Sequence, residues 1–219
     1  LSYIDQYTNQ KLFKLSYIND EYIASALEQS VIIYLKKEIP KHDVVIVNDF
    51  GHGFITPKII RLLCASSKFL CLNVQANSAN YGFHIVTKYP RADFVCIDDL
   101  ELRLATHDRY GEQASLMQRV YDSLHCKTIL VTRGPFGSTI FSKKNGRYDV
   151  PAFTGPIVDR VGAGDALFSI VSPLVYLHAE EEVIAFIGNA AAALNIATIG
   201  NKTPIDFKEL TKFITRLLK

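Results

Sequence analysis

Residues 159–165 (Asp-Arg-Val-Gly-Ala-Gly-Asp) place two glycines and a carboxylate directly before an apolar run at 166–171. Gly162 and Gly164 let the backbone turn tightly where a loop becomes a helix, and the first N–H groups of a helix have no partner within it. The helix dipole adds roughly half a positive charge at the same end, so phosphate is the natural ligand there. Asp165 would then accept a proton from a nucleophile that attacks this phosphate.

Glycine motifs this short also occur in ordinary turns, where the Asp merely occupies the first turn of a helix. The rest of the chain bears on this choice, because four predicted strands are each followed by polar or small residues. These are Asp49 with Gly51, Asn73 with Gln75 and Asn77, Asp98 with Glu101, and Thr132 with Gly134 and Gly137. In open α/β sheets, ligands bind outside the carboxyl ends of the strands. The residues are therefore expected along one edge with 162–165, and this convergence favours a binding site.

Continuous apolar runs of strand length alternate with helical patterns, which is typical of a mostly parallel sheet covered on both faces. The predicted strands are 44–48, 69–72, 93–97 and 127–131, and an Asn-Gly turn predicts a hairpin of 138–142 with 146–150. The predicted helices run from 19–20 to Pro40 and over 56–65, 98–105, 112–124, 163–176, 181–198 and 206–218. Apolar residues from Tyr22 to Leu35 recur at helical spacing, which predicts one core-facing side for the first helix. Residues 1–19 are expected to be irregular or a short strand.

Composition excludes several classes of protein. With 48% hydrophobic and 21% charged residues among 219, the chain is globular rather than disordered. A formal charge of +2 without a long basic run argues against nucleic-acid binding, and the apolar runs are too short to span a membrane. The four cysteines are dispersed, and we expect buried reduced thiols in a cytoplasmic protein.

The motif at 159–165 resembles the second signature of the PfkB (ribokinase-like) carbohydrate kinase family, Asp-Thr-x-Gly-Ala-Gly-Asp, from which only Arg160 departs. The resemblance implies a three-layer α/β/α sandwich with a mostly parallel central sheet. It also implies an anion hole for the transferred phosphoryl group, formed by the amides of Gly162, Ala163 and Gly164. Asp165 would be the catalytic base, and Asp159 would belong to the nucleotide site.

Two further motifs resemble family elements that contact the nucleotide. Thr132, Gly134 and Gly137 are similar to Thr-x-Gly-x-x-Gly, whose hydroxyl and amides bind phosphates, although a plain strand-to-hairpin turn explains them as well. Asp98 and Glu101 are similar to Asn-x-x-Glu, which implies that Glu101 organises magnesium through water. Asp98 replaces the family's Asn, so its assignment to the metal site stands beside its interpretation as a helix cap.

The late segments 188–191 and 200–201 resemble the region that packs against adenine, which implies that Asn189 belongs to the nucleotide site.

Segments 48–53, 73–77 and 88–93 look most like the heptose 7-phosphate kinases of the RfaE/HldE type, which act in ADP-heptose and lipopolysaccharide synthesis. That resemblance implies substrate contacts from Asp49, His52 and Asn73. His52 stands where such kinases commonly have Lys.

The resemblance covers nearly the whole chain from about residue 40 onward. The family's first signature and its small β lid would lie before Leu1, so residues 1–219 are interpreted as one kinase domain without its N-terminal third and lid. Sheet edges once paired with the missing part would be exposed, which favours association and leads us to expect a homodimer.

The sequence therefore predicts an ATP- and Mg²⁺-dependent kinase that phosphorylates a hydroxyl of a sugar or sugar phosphate, with neither nucleic acid nor a membrane as partner. The alternative is a truncated nucleotide-binding module that binds ATP without sugar-dependent turnover. A Rossmann oxidoreductase is disfavoured because no Gly-x-Gly-x-x-Gly follows the first clear strand.

Overall fold

The computed structural model describes residues 2–5, 11–15, 17, 21–153, 155, 159, 161–197 and 204–219. The strands are β1 (Ser2–Ile4), β2 (Lys11–Lys14), β3 (Val45–Asp49), β4 (Leu70–Val74), β5 (Phe94–Asp98), β6 (Thr128–Thr132), β7 (Ser138–Ser142) and β8 (Gly146–Val150). The helices are α1 (Ser25–Glu38), α2 (Pro57–Ser66), α3 (Asp99–Thr106), α4 (Gln113–Ser123), α5 (Ala163–Tyr176), α6 (Glu181–Ile196) and α7 (Phe207–Leu217).

The main sheet contains six strands in the order β3-β4-β5-β6-β7-β8. Strands β3 to β6 are parallel, and β7 and β8 continue the sheet as an antiparallel hairpin. The four parallel strands end at one edge, where Asp98 of β5 pairs in register with Thr132 of β6. This arrangement confirms the prediction from the apolar runs, and it brings the polar residues after each strand to one side of the sheet.

Alternation along the buried strands supplies two separate cores, one on each face of the sheet. Leu70, Leu72 and Val74 of β4 belong to the core under helices α1 to α4, whereas Cys71 belongs to the core under α5 and α6. The strands are apolar on both faces because helices cover both, as parallel sheets require. Helix α7 packs against α6 in a third, smaller cluster that includes Leu210.

Helices α5 and α6 approach closely at Gly188. A Cβ atom at this position would lie 2.8 Å from Cγ1 of Val171 and 3.0 Å from Cγ of Leu167. The absence of a side chain therefore sets the spacing of the two helices behind the end of α5. The alanine-rich part of α6 follows, with Ala190 and Ala191 fully buried.

The predicted start of the first helix is wrong. Helix α1 begins at Ser25, because the N–H of Ile23 donates to the carbonyl of Gly53 at 3.2 Å and holds that residue against the loop at Gly53. The predicted core-facing side is buried only in the second half of the helix. Ile32 is buried there, whereas Leu27 in the first half is 51% exposed. The region before α1 contains the antiparallel pair β1 and β2, which agrees with the alternative of a short strand.

All four cysteines are buried and none forms a disulfide, as expected from their apolar neighbours. Among the described residues, no helix has both the length and the apolar character needed to cross a membrane.

Candidate active site

The glycine-rich segment forms the start of α5, as predicted. Gly162 is the N-cap residue with φ 86°, a left-handed conformation that favours glycine, and its carbonyl accepts the first helical bond from the N–H of Ala166 at 2.9 Å. The N–H groups of residues 163–165 therefore have no acceptor inside the helix. A Cβ atom at Gly164 would meet nothing within 4 Å, so this backbone faces open space.

Asp165 lies in the first turn of α5, and its carboxylate is held from the sheet. Gln75, directly after β4, donates from Nε2 to Oδ1 of Asp165 at 2.6 Å. Burial raises the pKa of the Asp165 carboxyl above its ordinary value, and the Gln75 hydrogen bond acts in the opposite direction. The arrangement supplies a partly desolvated carboxylate with a fixed orientation beside exposed helix amides.

Asp98 and Glu101 form a capping box at the start of α3. The N–H of Glu101 donates to Asp98 Oδ1 at 2.7 Å, and the N–H of Asp98 donates to Glu101 Oε2 at 2.8 Å. The other oxygen of Glu101 accepts the N–H of Ala76 at 2.9 Å. The sequence left open whether Asp98 caps the helix or belongs to a metal site, and the contacts of Asp98 in the structure are those of a helix cap.

Desolvation, followed by the negative charge of Asp98, raises the pKa of Glu101 to about 7, and the charge of Asp165 contributes in the same direction. A cation would relieve this repulsion, so the donor set fits a divalent ion. Among the described residues, no three His, Cys, Asp or Glu side chains converge to hold a metal by themselves. Mg²⁺ is commonly bound by one or two carboxylates together with water and substrate phosphates, which matches such a partial site.

The turn after β6 carries Thr132, Gly134 and Gly137. Gly134 has φ 55° and open space where a Cβ would point. Gly137 has φ 86°, and a Cβ there would collide with the backbone of Val150 and Pro151. Gly137 therefore has a packing role, as the plain-turn interpretation predicts, while Thr132 and Gly134 are open to a ligand.

A cavity of about 330 Å³ separates this turn from the start of α5. Its wall includes Thr132, Gly134, Phe153, Ala163, Gly164 and Asn189. An adjoining groove of about 660 Å³ shares Thr132 and Gly134 and extends to Asp98. Cavities of this size accept small molecules, and this one combines an apolar body with a helix N-terminus at one side.

Asn189 lines the cavity, but its amide is used within the protein. It accepts from Oγ of Ser138 at 2.9 Å and donates to the carbonyls of Val150 and Pro151 at 3.0 and 2.9 Å. These bonds join α6 to the end of the β7–β8 hairpin. The neighbouring 200–201 pair lies outside the described residues.

The predicted substrate residue Asp49 is buried in an internal network. Its carboxylate contacts Nζ of Lys88 at 2.6 Å, accepts from the hydroxyl of Tyr89 at 2.7 Å and accepts the N–H of Gly51 at 3.1 Å. His84 donates from Nε2 to the Asp49 carbonyl at 2.9 Å, because Nζ of Lys88 occupies its Nδ1 at 3.1 Å. These contacts hold the loop that begins at Gly51.

The other two predicted substrate residues differ in exposure. Asn73 is buried and donates to the carbonyl of Cys96 at 2.8 Å, while its Oδ1 is buried without a hydrogen-bond partner. His52 is exposed on the loop that Asp49 holds.

The structure brings the backbone of 162–164, Asp165 and Glu101 to one edge of the sheet, and the turn that follows Thr132 lies across the cavity. Gln75 contacts Asp165 and the next residue, Ala76, contacts Glu101. Gln75 was among the polar residues expected along this edge, but neither residue was assigned a role in the site. The available signal was polarity at positions 73 and 75, which lie on the same face of β4 as the residues under α5.

Solved structures share this fold. Phosphofructokinase-2 from Escherichia coli superposes with a TM-score of 0.73 at 14% identity over 90% of this chain and 64% of that one. Ribokinase from Thermotoga maritima gives a TM-score of 0.73 at 18% identity over 98% of this chain and 68% of the other. Both confirm the expected ribokinase-like α/β sandwich with a mostly parallel sheet.

Relatives by sequence include the bifunctional protein HldE of Citrifermentans bemidjiense, 27% identical over 200 residues, which covers 89% of this chain and 40% of that protein. HldE of Desulfatibacillum aliphaticivorans is 26% identical over 207 residues, covering 92% and 41%. The chain thus spans about two fifths of the length of these curated relatives. The sequence profile described as pfkB family carbohydrate kinase matches residues 16–208, and with most of the chain matched, this protein belongs to the pfkB family of carbohydrate kinases.

Proposed function

We propose that the chain transfers the γ-phosphoryl group of ATP to a hydroxyl of a sugar or sugar phosphate. The observation that carries this proposal is the position of Asp165. Its carboxylate is in the first turn of α5, and the residues that precede it in that turn, Ala163 and Gly164, line a cavity together with Thr132 and Gly134. Phosphoryl transfer needs an anion site, in-line positioning and a base on the acceptor hydroxyl, and these residues supply the first and the last.

Each part of the site has an assigned task in this proposal. The amides of 162–164 bind the oxygens of the migrating group, because they are fixed donors that need no reorganisation. Asp165 accepts the proton of the attacking hydroxyl. The hydroxyl of Thr132 and the backbone at Gly134 bind the nucleotide's phosphates, and the apolar part of the cavity beside Phe153 receives the base.

Glu101 and Asp98 would hold Mg²⁺ together with the phosphates of the nucleotide. When bound, this ion supplies neutralisation of charge on the phosphate oxygens. Glu101 suits the role because desolvation, followed by the negative charges of Asp98 and Asp165, raises the pKa of its carboxyl, and a cation would relieve this. Asn189 has a structural task, because its hydrogen bond to the carbonyl of Val150 fixes the end of the β7–β8 hairpin to α6.

We propose heptose 7-phosphate as the acceptor to test first. Support comes from the similarity of three segments to heptose kinases and from relatives that bear the name HldE. Exposed His52 would lie toward the acceptor, on a loop whose shape depends on Asp49. A cytoplasmic location belongs to the proposal, since four buried unpaired thiols suit a reducing compartment.

A nucleotide-binding module without sugar-dependent turnover is the second candidate. One observation favours it: the carboxylate of Asp49 and the amide of Asn73, expected to contact sugar, are turned to internal partners. The two candidates agree on ATP binding and differ on turnover with an acceptor.

Calorimetric titration with a non-hydrolysable ATP analogue and Mg²⁺ tests the part that both candidates share. Gly164→Val adds a branched side chain to the open space beside the first turn of α5 and should abolish binding. Ser169→Val, an exposed position on the same helix, is the matched control and should bind normally. Binding that survives Gly164→Val would contradict the assigned anion hole. Absence of binding in the unmodified chain would contradict both candidates.

A further inference from the structure

Gln75 and Asp165 are 90 positions apart in the sequence, yet they are joined by a hydrogen bond of 2.6 Å from Gln75 Nε2 to Asp165 Oδ1. Gln75 directly follows strand β4, and Asp165 lies in the first turn of α5. The bond therefore ties the proposed base to the sheet rather than to its own helix. This link sets where the carboxylate stands relative to the cavity.

The backbone around Gln75 is itself fixed on two sides. The N–H of Gln75 donates to the carbonyl of Asp49 at 3.0 Å, and the N–H of the next residue, Ala76, donates to Oε1 of Glu101 at 2.9 Å. The carboxylate of Asp49 is held in turn by Lys88 and Tyr89. A donor anchored in this way reaches Asp165 with little freedom, so the orientation of the carboxylate is predetermined.

A primary amide is chemically suited to this position. It donates to an ionised carboxylate and thereby favours the ionised form, which a base requires. Lys or Arg at this position would form an ion pair with Asp165 and lower its pKa further, which would weaken the base. The neutral amide forms no ion pair. With Oδ1 engaged by Gln75, Oδ2 is the oxygen left to take a proton from an acceptor hydroxyl.

We propose that Gln75 is the positioning residue of Asp165, fixing which carboxylate oxygen faces the acceptor and keeping that carboxylate ionised. This inference rests on the proposed kinase function. The inference adds to the proposed site a residue that belongs neither to the glycine-rich segment nor to the Asp98–Glu101 pair. The adjacent Ala76 extends the same support to Glu101, so one segment after β4 orients carboxylates from two helices.

Burial acts on the Asp165 carboxyl in the direction opposite to the Gln75 bond. The charge of Asp165 in turn helps to raise the pKa of Glu101 of α3 and of the Cys96 thiol of β5, for both of which desolvation is the largest cause. The Gln75 amide is the donor that the described structure gives to this carboxylate and that favours its ionised form. Its removal should therefore shift the titration of Asp165 to higher pH.

The test is a ¹³C NMR titration of the Asp165 carboxyl carbon in the unmodified chain, with Asp165→Asn used for assignment. Gln75→Leu removes the donor at similar size, and Gln75→Glu replaces it by a second acid. Both variants should move the midpoint to higher pH, with Gln75→Glu moving it further, because two carboxyls then share a proton. Gln118→Leu is the matched control, since it removes a bond of the same kind, Gln118 Nε2 to Asp122 Oδ2 at 2.8 Å, from an exposed helix.

Turnover gives a second readout, which a merely structural bond would not affect. The acid limb of the kcat profile should move with the NMR midpoint in each Gln75 variant, and kcat at neutral pH should fall roughly ten- to a hundredfold. The KM for ATP should change little.

Two outcomes overturn the inference while leaving the proposed function in place. In one, Gln75→Leu and Gln75→Glu fold and leave the Asp165 midpoint where Gln118→Leu leaves it. In the other, the midpoint moves but the acid limb of kcat does not. A shifted midpoint in a protein that binds no ATP analogue would overturn the proposed function, and the assignment of Gln75 to a kinase base with it.

Discussion

Asp98 and Glu101 each accept the other's backbone N–H, at 2.7 and 2.8 Å, and so close the first turn of α3 with two carboxylates side by side. Desolvation and the neighbouring charge raise the pKa of Glu101 to about 7. The same pair that begins the helix thus places negative charge beside the groove that Asp98 lines. A bound cation would offset this local cost.

This cost predicts a specific pH dependence of stability without added metal. Because the folded-state pKa of Glu101 lies above its ordinary value of 4.5, the folded chain binds more protons than the unfolded chain between about pH 4.5 and 7. The contribution of this group to the free energy of unfolding is present below that window and falls by up to about 3 kcal/mol as pH rises through it. Urea unfolding at several pH values measures the slope. Glu101→Gln should remove it, whereas the exposed Glu112→Gln should not, and an unchanged slope in Glu101→Gln would contradict the assignment.

Lys88→Met should destabilise the fold by about 3 kcal/mol, because it leaves the buried Asp49 carboxylate without its ion-pair partner. Lys68→Met is the matched control, since Lys68 pairs with Asp43 at an exposed site where such pairs are worth about 0–1 kcal/mol. Denaturant unfolding of both variants gives the comparison. Equal losses would show that the Asp49 network does not support the loop at Gly51.

Asn189→Ala should cost roughly 2–4 kcal/mol, because the hydroxyl of Ser138 and the carbonyls of Val150 and Pro151 would lose a buried partner. Asn48→Ala changes an exposed Asn and should cost within about 0.5 kcal/mol. Thermal unfolding measures both variants. A neutral Asn189→Ala would argue that its side chain faces a ligand instead of supporting the hairpin.

Local signals in the sequence were sufficient for most of the fold. The four parallel strands begin and end within two residues of their predicted bounds, because their apolar runs need burial on both faces. Asn145-Gly146 sets the hairpin, and Gly162 sets the start of α5, since both depend on conformations that few residues adopt. The start of the first helix was predicted wrongly, because the hydrogen bond from the N–H of Ile23 to the carbonyl of Gly53 is a tertiary contact that no local sequence pattern indicates.

The chemical surroundings of the site residues were harder to predict. Asp49 sits at the end of a strand, which suggested a ligand contact, but its partners Lys88 and Tyr89 lie some forty positions later. Gln75 looked like one polar residue among several until the fold placed it against Asp165. Such pairings depend on which strand and helix ends meet in the folded chain. The spacing of residues along the sequence does not predict which ends these are.

The most direct test of the account is acceptor-dependent ADP formation from ATP and Mg²⁺, measured with heptose 7-phosphate for the unmodified chain and for Asp165→Asn. The account predicts turnover in the unmodified chain and a loss of at least a thousandfold in Asp165→Asn, with binding of the ATP analogue retained because the amides of α5 are unchanged. Turnover that persists in a folded Asp165→Asn protein would contradict the role of Asp165 as base. Analogue binding without acceptor-dependent turnover in the unmodified chain would contradict transfer to heptose 7-phosphate and favour the binding module.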